Sequence, residues 1–194
     1  MTSNNRVLDI FTESGALLHG HFILTSGKHS DRYMQCAQVL KHPHYTEELA
    51  RGIASAFRDD AIDLVIGPAM GGMIIAYEVA RQLGVTALFS ERVEGAMALR
   101  RGFAVEEGQR VLVVEDVVTT GGSVAELIEL VRRSGGIIAG VATLVDRSNG
   151  SVDFGVKQHS LLALDIQSWD PSMCPLCVEG SAPAVKPGSR ERRS

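Results

Sequence analysis

Two adjacent carboxylates, Glu115 and Asp116, follow directly after an uninterrupted apolar run at residues 111–114. The run is typical of a strand that is covered on both faces, as in a parallel sheet. The carboxyl end of such a strand lies at the edge where open α/β sheets bind ligands. Residues 119–123, Thr-Thr-Gly-Gly-Ser, then offer hydroxyls, backbone N–H groups and room for an anion. A helical pattern that begins near Gly122 adds its positive end.

Carboxylates beside a phosphate cradle would repel an anionic ligand unless they face a part of it that is not negatively charged. Sugar hydroxyls, which donate hydrogen bonds, and a carbon that develops positive charge are two such parts. A ribose 5-phosphate whose anomeric carbon becomes an oxocarbenium ion supplies both. The plainer alternative is a strand–turn–helix connection with a polar N-cap. The succession of Glu-Asp, Thr-Thr and Gly-Gly favours the sugar-phosphate site.

The segment at residues 115–123 resembles the phosphoribosyl-pyrophosphate (PRPP) signature of type I phosphoribosyltransferases. The chain more narrowly resembles the orotate phosphoribosyltransferases, because four further segments occur in that family's order, at residues 24–30, 67–72, 90–92 and 144–147. The resemblance implies transfer of 5-phosphoribosyl from PRPP to orotate, which yields orotidine 5′-phosphate and pyrophosphate in pyrimidine (UMP) biosynthesis. It also implies Mg²⁺ that bridges pyrophosphate and ribose hydroxyls, and a homodimer with active sites near the interface.

By this resemblance, Glu115 and Asp116 hold the ribose hydroxyls and stabilise the cation, while the turn that follows them holds the 5′-phosphate. The Gly-rich turn at residues 67–72 is a second anion cradle, which the resemblance assigns to pyrophosphate. A turn that only packs a helix closely against a strand is its alternative. The residues expected at PRPP are Lys28, Gly71, Gly72, Arg92, Glu115, Asp116, Val117, Val118, Thr119, Thr120, Gly121, Gly122 and Ser123.

The sequence departs from the family's pattern where that pattern carries cations. Met70-Gly71 stands where better-known orotate enzymes have an aromatic–Lys pair, and the loop that Arg92 opens is short and lacks the family's lysines and histidine. Departing pyrophosphate needs fixed positive charge, so we expect Arg100 and Arg101 to replace them as catalytic residues. A solvated pair at a strand edge is the alternative.

The acceptor base depends on residues outside the motif. By resemblance, Tyr33 and Met34 lie over the orotate ring, Thr119 contacts orotate as well as PRPP, and Arg147 forms a bidentate pair with the orotate carboxylate. A surface pair of Asp146 with Arg147 is the alternative. Two other functions stay open: a phosphoribosyltransferase for another purine or pyrimidine base, and a non-catalytic PRPP-binding regulator.

Cys174 and Cys177 have the spacing of a metal knuckle or a redox pair. A closed zinc site needs four ligands, and Cys36 is the one other cysteine, so the pair would have to recruit histidines or a second subunit. Pro171 and Pro175 predict a loop, which argues against a thioredoxin-type pair that opens a helix. We therefore expect a structural feature of the tail. Zinc binding, as in a metal-dependent interaction protein, is the alternative.

The bulk properties favour a cytoplasmic protein of one domain. Its 194 residues suffice for a proper core, and its formal charge of −4, with both signs interspersed, offers no basic surface for nucleic acid. The first residues lack the apolar stretch of a signal peptide, and no apolar run approaches membrane length.

Alternation of strand and helix patterns predicts an α/β fold with a central, mainly parallel sheet flanked by helices. By resemblance this is a single type I phosphoribosyltransferase domain over residues 1–194, with a small N-terminal hood region at 1–42, an α/β core at 43–166 and a tail at 167–194. Helices are expected at 5–18, from about 45, at 74–83 and at 124–134. Strands are expected at 63–67, 85–89, 99–105, 111–115, 136–145 and 160–166, with a β-like region at 21–40 and a polar loop at 91–101.

Overall fold

A computed structural model describes residues 4–24, 26–180 and 182–187, so the expected hood and tail extend beyond the described residues. The helices are α1 (Asn4–Glu13), α2 (Ala37–Leu40), α3 (Pro43–Ala56), α4 (Gly71–Leu83), α5 (Gly122–Arg133) and α6 (Pro175–Val178), with a 3-10 helix at Pro171–Met173. The strands are β1 (Leu17–Ile23), β2 (His29–Met34), β3 (Leu64–Pro68), β4 (Thr86–Val93), β5 (Ala96–Ala98), β6 (Arg110–Val118), β7 (Ile137–Asp146) and β8 (Gln158–Ala163). Among the described helices, none has the length and apolar character needed to span a bilayer.

The central sheet has the strand order β5-β4-β3-β6-β7-β8. Neighbouring strands from β4 to β8 run parallel, and β5 is antiparallel to β4. This confirms the predicted mainly parallel sheet. The carboxyl ends of β3, β6 and β7 therefore share one edge, where the turn after each strand can contribute to a common site.

Alternating side chains of β6 enter two different apolar cores, which explains the continuous run at residues 111–114. Leu112 and Val114 pack with helices α1, α3 and α4 on one face of the sheet. Val111 and Val113 pack with α5 on the other face. A strand covered on both faces has no polar side chain to offer until its end. The two carboxylates thus come near the carboxyl end of the strand, just after the covered run.

The hood is a separate two-stranded antiparallel sheet of β1 and β2. The segment after β8 returns across it. Trp169 pairs with His29 in an antiparallel bridge, and Val185 pairs with Phe22 in a parallel one. The C-terminal segment is therefore attached to the hood by backbone hydrogen bonds at two points.

Several predictions about secondary-structure elements were wrong because local turns override the apolar pattern. The first helix ends at Glu13 rather than at residue 18, since Gly15 adopts a φ of 68° and the chain then enters β1. The expected β-like region at 21–40 ends earlier, since residues 37–40 form the short helix α2. The expected polar loop at 91–101 is a hairpin instead.

The hairpin of β4 and β5 turns at Glu94 and Gly95, whose φ values are 49° and 88°. Two successive positive φ values are typical of the tightest hairpin turns. The expected strand at 99–105 does not form, because Arg101 and Gly102 also adopt positive φ values and turn the chain away. Finally, Cys174 directly precedes the single-turn helix α6, so the expected loop around the cysteine pair is partly helical.

Candidate active site

Glu115 and Asp116 form a closely coupled carboxyl pair at the end of β6. The Glu115 side chain is buried, with 8% of the residue exposed, and Asp116 is half-buried. The backbone N–H of Asp116 donates to Glu115 Oε1 at 3.0 Å, and that of Val117 donates to Asp116 Oδ1 at 2.9 Å. Burial, with the adjacent Asp116 carboxylate second, raises the pKa of Glu115 to about 9. Glu115 therefore holds a proton at neutral pH in the absence of ligand, and positive charge brought next to the pair favours its ionised form.

The Gly-rich turn between β3 and α4 packs directly on this pair. A Cβ on Gly71 would overlap Oδ2 of Asp116, and a Cβ on Gly72 would lie 2.9 Å from Oε1 of Glu115. A Cβ on Gly67 would overlap the carbonyl oxygen of Gly72. These glycines are therefore needed for packing, and they also open the turn's backbone to the space in front of the carboxylates. The turn can therefore both pack α4 closely against β3 and leave its backbone open to an anion, so the two interpretations of it are compatible.

The turn from β6 into α5 forms a cradle around a small cavity of about 70 Å³, which is lined by Glu115 and residues 117–124. Gly121 precedes the helix with a φ of 76°, and a Cβ there would lie 2.7 Å from Val152. Within the described part of the chain, no side chain caps the N-terminus of this 12-residue helix. Its first N–H groups are therefore available to an anion, as the motif predicted.

Arg147 lies beside this cradle, just after β7. Its backbone N–H donates to the carbonyl of Val118 at 2.8 Å. Its side-chain Nε is buried and has no hydrogen-bond partner among the described residues. Burial lowers the pKa of Arg147, while Cys36 and Tyr33 act in the opposite direction. A buried guanidinium N–H is costly when it lacks an acceptor, so the site suits a ligand carboxylate.

The alternative pairing of Arg147 with Asp146 does not form among the described residues. Oδ1 of Asp146 accepts a hydrogen bond from the backbone N–H of Ser148 at 2.7 Å instead. The arginine and the aspartate are neighbours in sequence, but their side chains serve different purposes. This leaves Arg147 directed at a ligand as the favoured interpretation.

Tyr33 and Met34 are adjacent in β2 and point to opposite faces of the hood. Met34 is buried in the main core together with Leu17, its partner on β1. Tyr33 is half-buried, lies close enough to Arg147 to affect its pKa, and packs at 5.8 Å from the Phe22 ring. Of the two residues expected over the base, Tyr33 is thus the one that is partly accessible, whereas Met34 belongs to the core.

The predicted cationic residues of the β4–β5 region are engaged elsewhere. Arg92 forms an ion pair with Glu126 of α5 at 3.0 Å and also donates to the carbonyl of Gly95. Arg101 pairs with Glu91 at 3.0 Å and lies over the ring of a neighbouring phenylalanine at 5.7 Å. These contacts fasten the hairpin to the sheet edge and to α5. To meet a ligand, both side chains must exchange these partners.

Arg100 and Lys28 are exposed, and their side chains have no ion-pair partner among the described residues. Lys28 lies in the hood turn, six residues before Met34 and thus about 20 Å away along an extended strand. The structure therefore does not bring Lys28 to the Tyr33 end of the hood.

A second group of polar side chains lies in the hood, away from the carboxylates. The ligand atoms of His21, His29, Cys174 and Cys177 all lie within 4.8 Å of one another. We expected the cysteine pair to be a structural feature, but the two histidines were missed. A signal for them exists, because Ser26-Gly27, a pair typical of turns, lies between His21 and His29, and a hairpin brings such positions together.

Comparison with known proteins gives a consistent result. Residues 35–158 match the family model of the phosphoribosyl transferase domain. The chain is 57% identical over 189 residues to the orotate phosphoribosyltransferase of Desulforamulus reducens, covering 97% of this chain and 98% of the relative. It is 60% identical over 190 residues to that of Heliobacterium modesticaldum, covering 97% and 99%. The crystal structure of orotate phosphoribosyltransferase from Aeropyrum pernix matches with a TM-score of 0.71 and 28% identity, over 81% of this chain and 93% of that one.

Proposed function

The chain belongs to the orotate phosphoribosyltransferase family, and from that premise we propose that it transfers the 5-phosphoribosyl group of PRPP to orotate. The products are orotidine 5′-phosphate and pyrophosphate, in pyrimidine biosynthesis. The observation that carries the proposal is the buried Nε of Arg147, without a partner among the described residues, beside the turn of the PRPP motif. Orotate has a carboxylate that satisfies this donor, whereas uracil, hypoxanthine and adenine have none.

PRPP binds across the ends of β3 and β6 in this proposal. Its 5′-phosphate accepts hydrogen bonds from the hydroxyls and N–H groups of residues 119–123, at the positive end of α5. The ribose hydroxyls donate to the carboxylates of Glu115 and Asp116. Pyrophosphate lies against the turn that carries Gly71 and Gly72, because a backbone without Cβ atoms lets it approach closely.

The reaction breaks the bond between C1′ and the pyrophosphate oxygen, and the electron pair leaves with pyrophosphate. The ring nitrogen of orotate, which attacks as an anion, forms the new bond to C1′. Positive charge develops on the ribose between these events, and the Glu115–Asp116 pair faces it. That charge favours the ionised form of Glu115, so the carboxylate interacts more strongly with the transition state than with the free sugar.

Mg²⁺ fits this site as a partner of the substrate rather than of a protein cage. Among the described residues, no set of three His, Cys, Asp or Glu ligands converges at the end of β6. The half-buried carboxylate of Asp116 is the protein group that would hold it, with oxygen ligands otherwise supplied by the substrate. When bound, the ion neutralises the leaving group. Arg100 and Arg101 are proposed to add positive charge on the same side, and Arg92 and Lys28 remain proposed PRPP contacts.

The base lies between the hood and the end of β7. Arg147 pairs with the orotate carboxylate, and the ring of Tyr33 covers the pyrimidine. Met34 and Thr119 remain proposed orotate contacts. Since Met34 is part of the core, its contribution in this proposal is to hold the strand that carries Tyr33.

We also propose a homodimer that works in the cytoplasm. An apolar stripe on α4 supports the dimer, because Ile74 and Tyr77 are 43% and 66% exposed and Met70, just before the helix, is 79% exposed. The stripe borders an apolar groove with Phe89 and Phe103. A patch of this kind marks an interaction surface. It lies next to the glycine turn, so a partner docked there would adjoin the active site.

The test is an assay of pyrophosphate release. Purified protein with Mg²⁺ and PRPP is offered orotate, uracil, hypoxanthine and adenine in separate reactions, and each is repeated without Mg²⁺. We expect release with orotate alone, and only with Mg²⁺. Release with another base would refute the substrate assignment. Absence of release with every base, combined with PRPP binding, would favour a non-catalytic regulator.

A further inference from the structure

Four metal-ligating side chains meet where the C-terminal segment crosses the hood. Nε2 of His21 lies 2.9 Å from Nδ1 of His29. Sγ of Cys174 lies 3.5 Å from Nε2 of His21, and Sγ of Cys177 lies 3.6 Å from the same atom. Sγ of Cys177 also lies 3.3 Å from Nδ1 of His29. Two imidazoles and two thiols thus converge on one point, and three of the four residues are buried.

Three of these separations agree with those of a tetrahedral zinc site. With Zn–S bonds of about 2.3 Å and Zn–N bonds of about 2.0 Å, sulfur and nitrogen ligands are about 3.5 Å apart at the tetrahedral angle. Three of the four sulfur–nitrogen distances in the cluster, 3.3, 3.5 and 3.6 Å, lie around this value, and all four ligand atoms lie within 4.8 Å of one another. The alternative is a cluster of neutral thiols and imidazoles that only hydrogen-bond to one another. Pairwise hydrogen bonds do not require all four groups to converge, whereas a metal site does.

The surroundings orient the ligands. Nδ1 of His21 lies 2.9 Å from the carbonyl oxygen of Ala182, so a proton on Nδ1 donates there and leaves Nε2 free to bind a metal. The register of β1 and β2 shifts between His19 and Phe22, where two residues of β1 stand opposite one of β2. Such a bulge redirects the side chain beside it. His21 is accordingly buried, whereas His19 is exposed.

We propose that His21, His29, Cys174 and Cys177 bind one Zn²⁺ as a structural site that fastens the C-terminal segment to the hood. Two thiolates and two imidazoles in tetrahedral arrangement are the ligand set that zinc prefers. All four positions are filled by the protein, so the ion has no open position for catalysis. The backbone bridges of Trp169 to His29 and of Val185 to Phe22 lie on either side of it.

Zinc would thereby stabilise the strand that presents Tyr33 to the base. His29 begins β2 and Tyr33 lies four residues later on the same strand. Without the ion, two short bridges hold residues 169–185 on the hood, and the thiols are free to oxidise to a disulfide. We therefore expect the metal-free protein to unfold at a lower temperature and to be cleaved faster by protease in its C-terminal segment.

The experiment measures metal content in the full-length protein, purified under reducing conditions and without a metal-affinity tag. We expect about one zinc per chain by plasma mass spectrometry. The variants His21→Ala and Cys177→Ser should lose it, whereas His19→Ala and Cys36→Ser, which alter a histidine and a cysteine outside the cluster, should keep it. Cobalt exchanged into the wild type should give the absorption of a tetrahedral thiolate site.

Wild-type protein supplies a readout that does not depend on whether variants fold. Removal of zinc by a chelator should lower the melting temperature by at least about 5 °C, and added Zn²⁺ should restore it. A wild type that contains no metal and takes up none from Zn²⁺ would overturn the proposal. So would full zinc occupancy in both His21→Ala and Cys177→Ser, or a melting temperature that the chelator leaves unchanged. None of these readouts depends on transferase activity.

Discussion

Gly71, the first residue of α4, and Asp116, near the end of β6, are in direct contact, because a Cβ on Gly71 would overlap Oδ2 of the aspartate and lie 2.6 Å from its Cγ. Gly71 has an ordinary helical φ, so alanine there strains no backbone and the aspartate side chain must move instead. We predict that Gly71→Ala lowers kcat/KM for PRPP by at least about tenfold, since small displacements of a positioning group are costly. Its melting temperature should change little.

Steady-state kinetics and thermal melts of Gly71→Ala check this, and a double-mutant cycle with Asp116→Ala is the control. If the alanine acts by displacing the carboxylate, it should have little further effect once the carboxylate is gone. Additive losses in the double variant would contradict the mechanism.

Glu115 should make the ligand-free protein less stable as pH rises. Its pKa is raised by burial to about 9 in the folded protein, against 4.5 as its ordinary value. The protonated form therefore favours folding, and this contribution is fully present below about pH 4.5 and is lost as pH rises towards 9. Glu115→Gln keeps the neutral form at every pH. We predict that it raises the free energy of unfolding at pH 8 by at least about 2 kcal/mol, changes it little at pH 4.5, and abolishes activity.

Denaturant melts at several pH values measure this difference between wild type and variant. Glu106→Gln, which removes a carboxylate from an exposed position, controls for the change in net charge. An equal effect of both substitutions on the pH dependence would mean that Glu115 is not the group responsible.

The parts of the fold that were predicted correctly depend on local pattern. The run at residues 111–114 could be identified as a covered strand because every side chain in it is apolar and both faces of β6 are packed. The β4–β5 hairpin could not, because it depends on positive φ at Glu94, a residue type for which that conformation is uncommon. Backbone conformation of this kind leaves no apolar periodicity to detect.

The PRPP motif could likewise be predicted from local sequence, whereas the His–Cys cluster and the burial of Arg147 depend on the folded chain. The order of residues 115–123 is informative in itself, because strand, carboxylates, turn and helix are consecutive in the chain. The His–Cys cluster joins His21 to Cys174, which are 153 positions apart, and it needs both the bulge of β1 and the return of the tail across the hood. Similarly, the family resemblance suggested Arg147 as a ligand-binding residue, but the burial of its Nε depends on the packed fold.

Arg147 should strengthen the binding of orotate while lowering, or leaving unchanged, the stability of the ligand-free protein. Its buried donor lacks a partner among the described residues, so Arg147→Met removes a desolvated charge and should leave the melting temperature of the ligand-free protein unchanged or higher. The same change should raise the KM for orotate by at least about 100-fold, because a charged bidentate pair is lost. The KM for PRPP should stay within about threefold.

Arg147→Lys is the matched variant, since it keeps the charge and loses the planar fork. It should recover only part of the affinity for orotate. An unchanged KM for orotate in Arg147→Met would remove this residue from the base site, and a parallel rise in the KM for PRPP would indicate a general disruption of the fold.

Tyr77 should be required for the proposed dimer. It is 66% exposed at the centre of the α4 stripe, so Tyr77→Glu places a charge where apolar surfaces would meet. We expect wild type to elute as a dimer and the variant as a monomer in size-exclusion chromatography with light scattering. Ile137→Glu, at an exposed apolar position on the opening residue of β7, should stay dimeric. A monomeric wild type would refute the dimer.

Replacement of Arg100 or Arg101 by alanine should lower kcat. This chain lacks the lysines that the family pattern places near pyrophosphate, so the two arginines supply the positive charge that the leaving group needs. The expected loss is at least about tenfold each, with little change in the KM for orotate. Arg101 also holds the hairpin through Glu91, so its alanine variant could act by loosening that contact. Glu91→Gln separates the two effects, since it breaks the same ion pair and keeps the arginine. A kcat that falls in Arg101→Ala and is retained in Glu91→Gln supports a direct role, whereas an unchanged kcat in both arginine variants would exclude it.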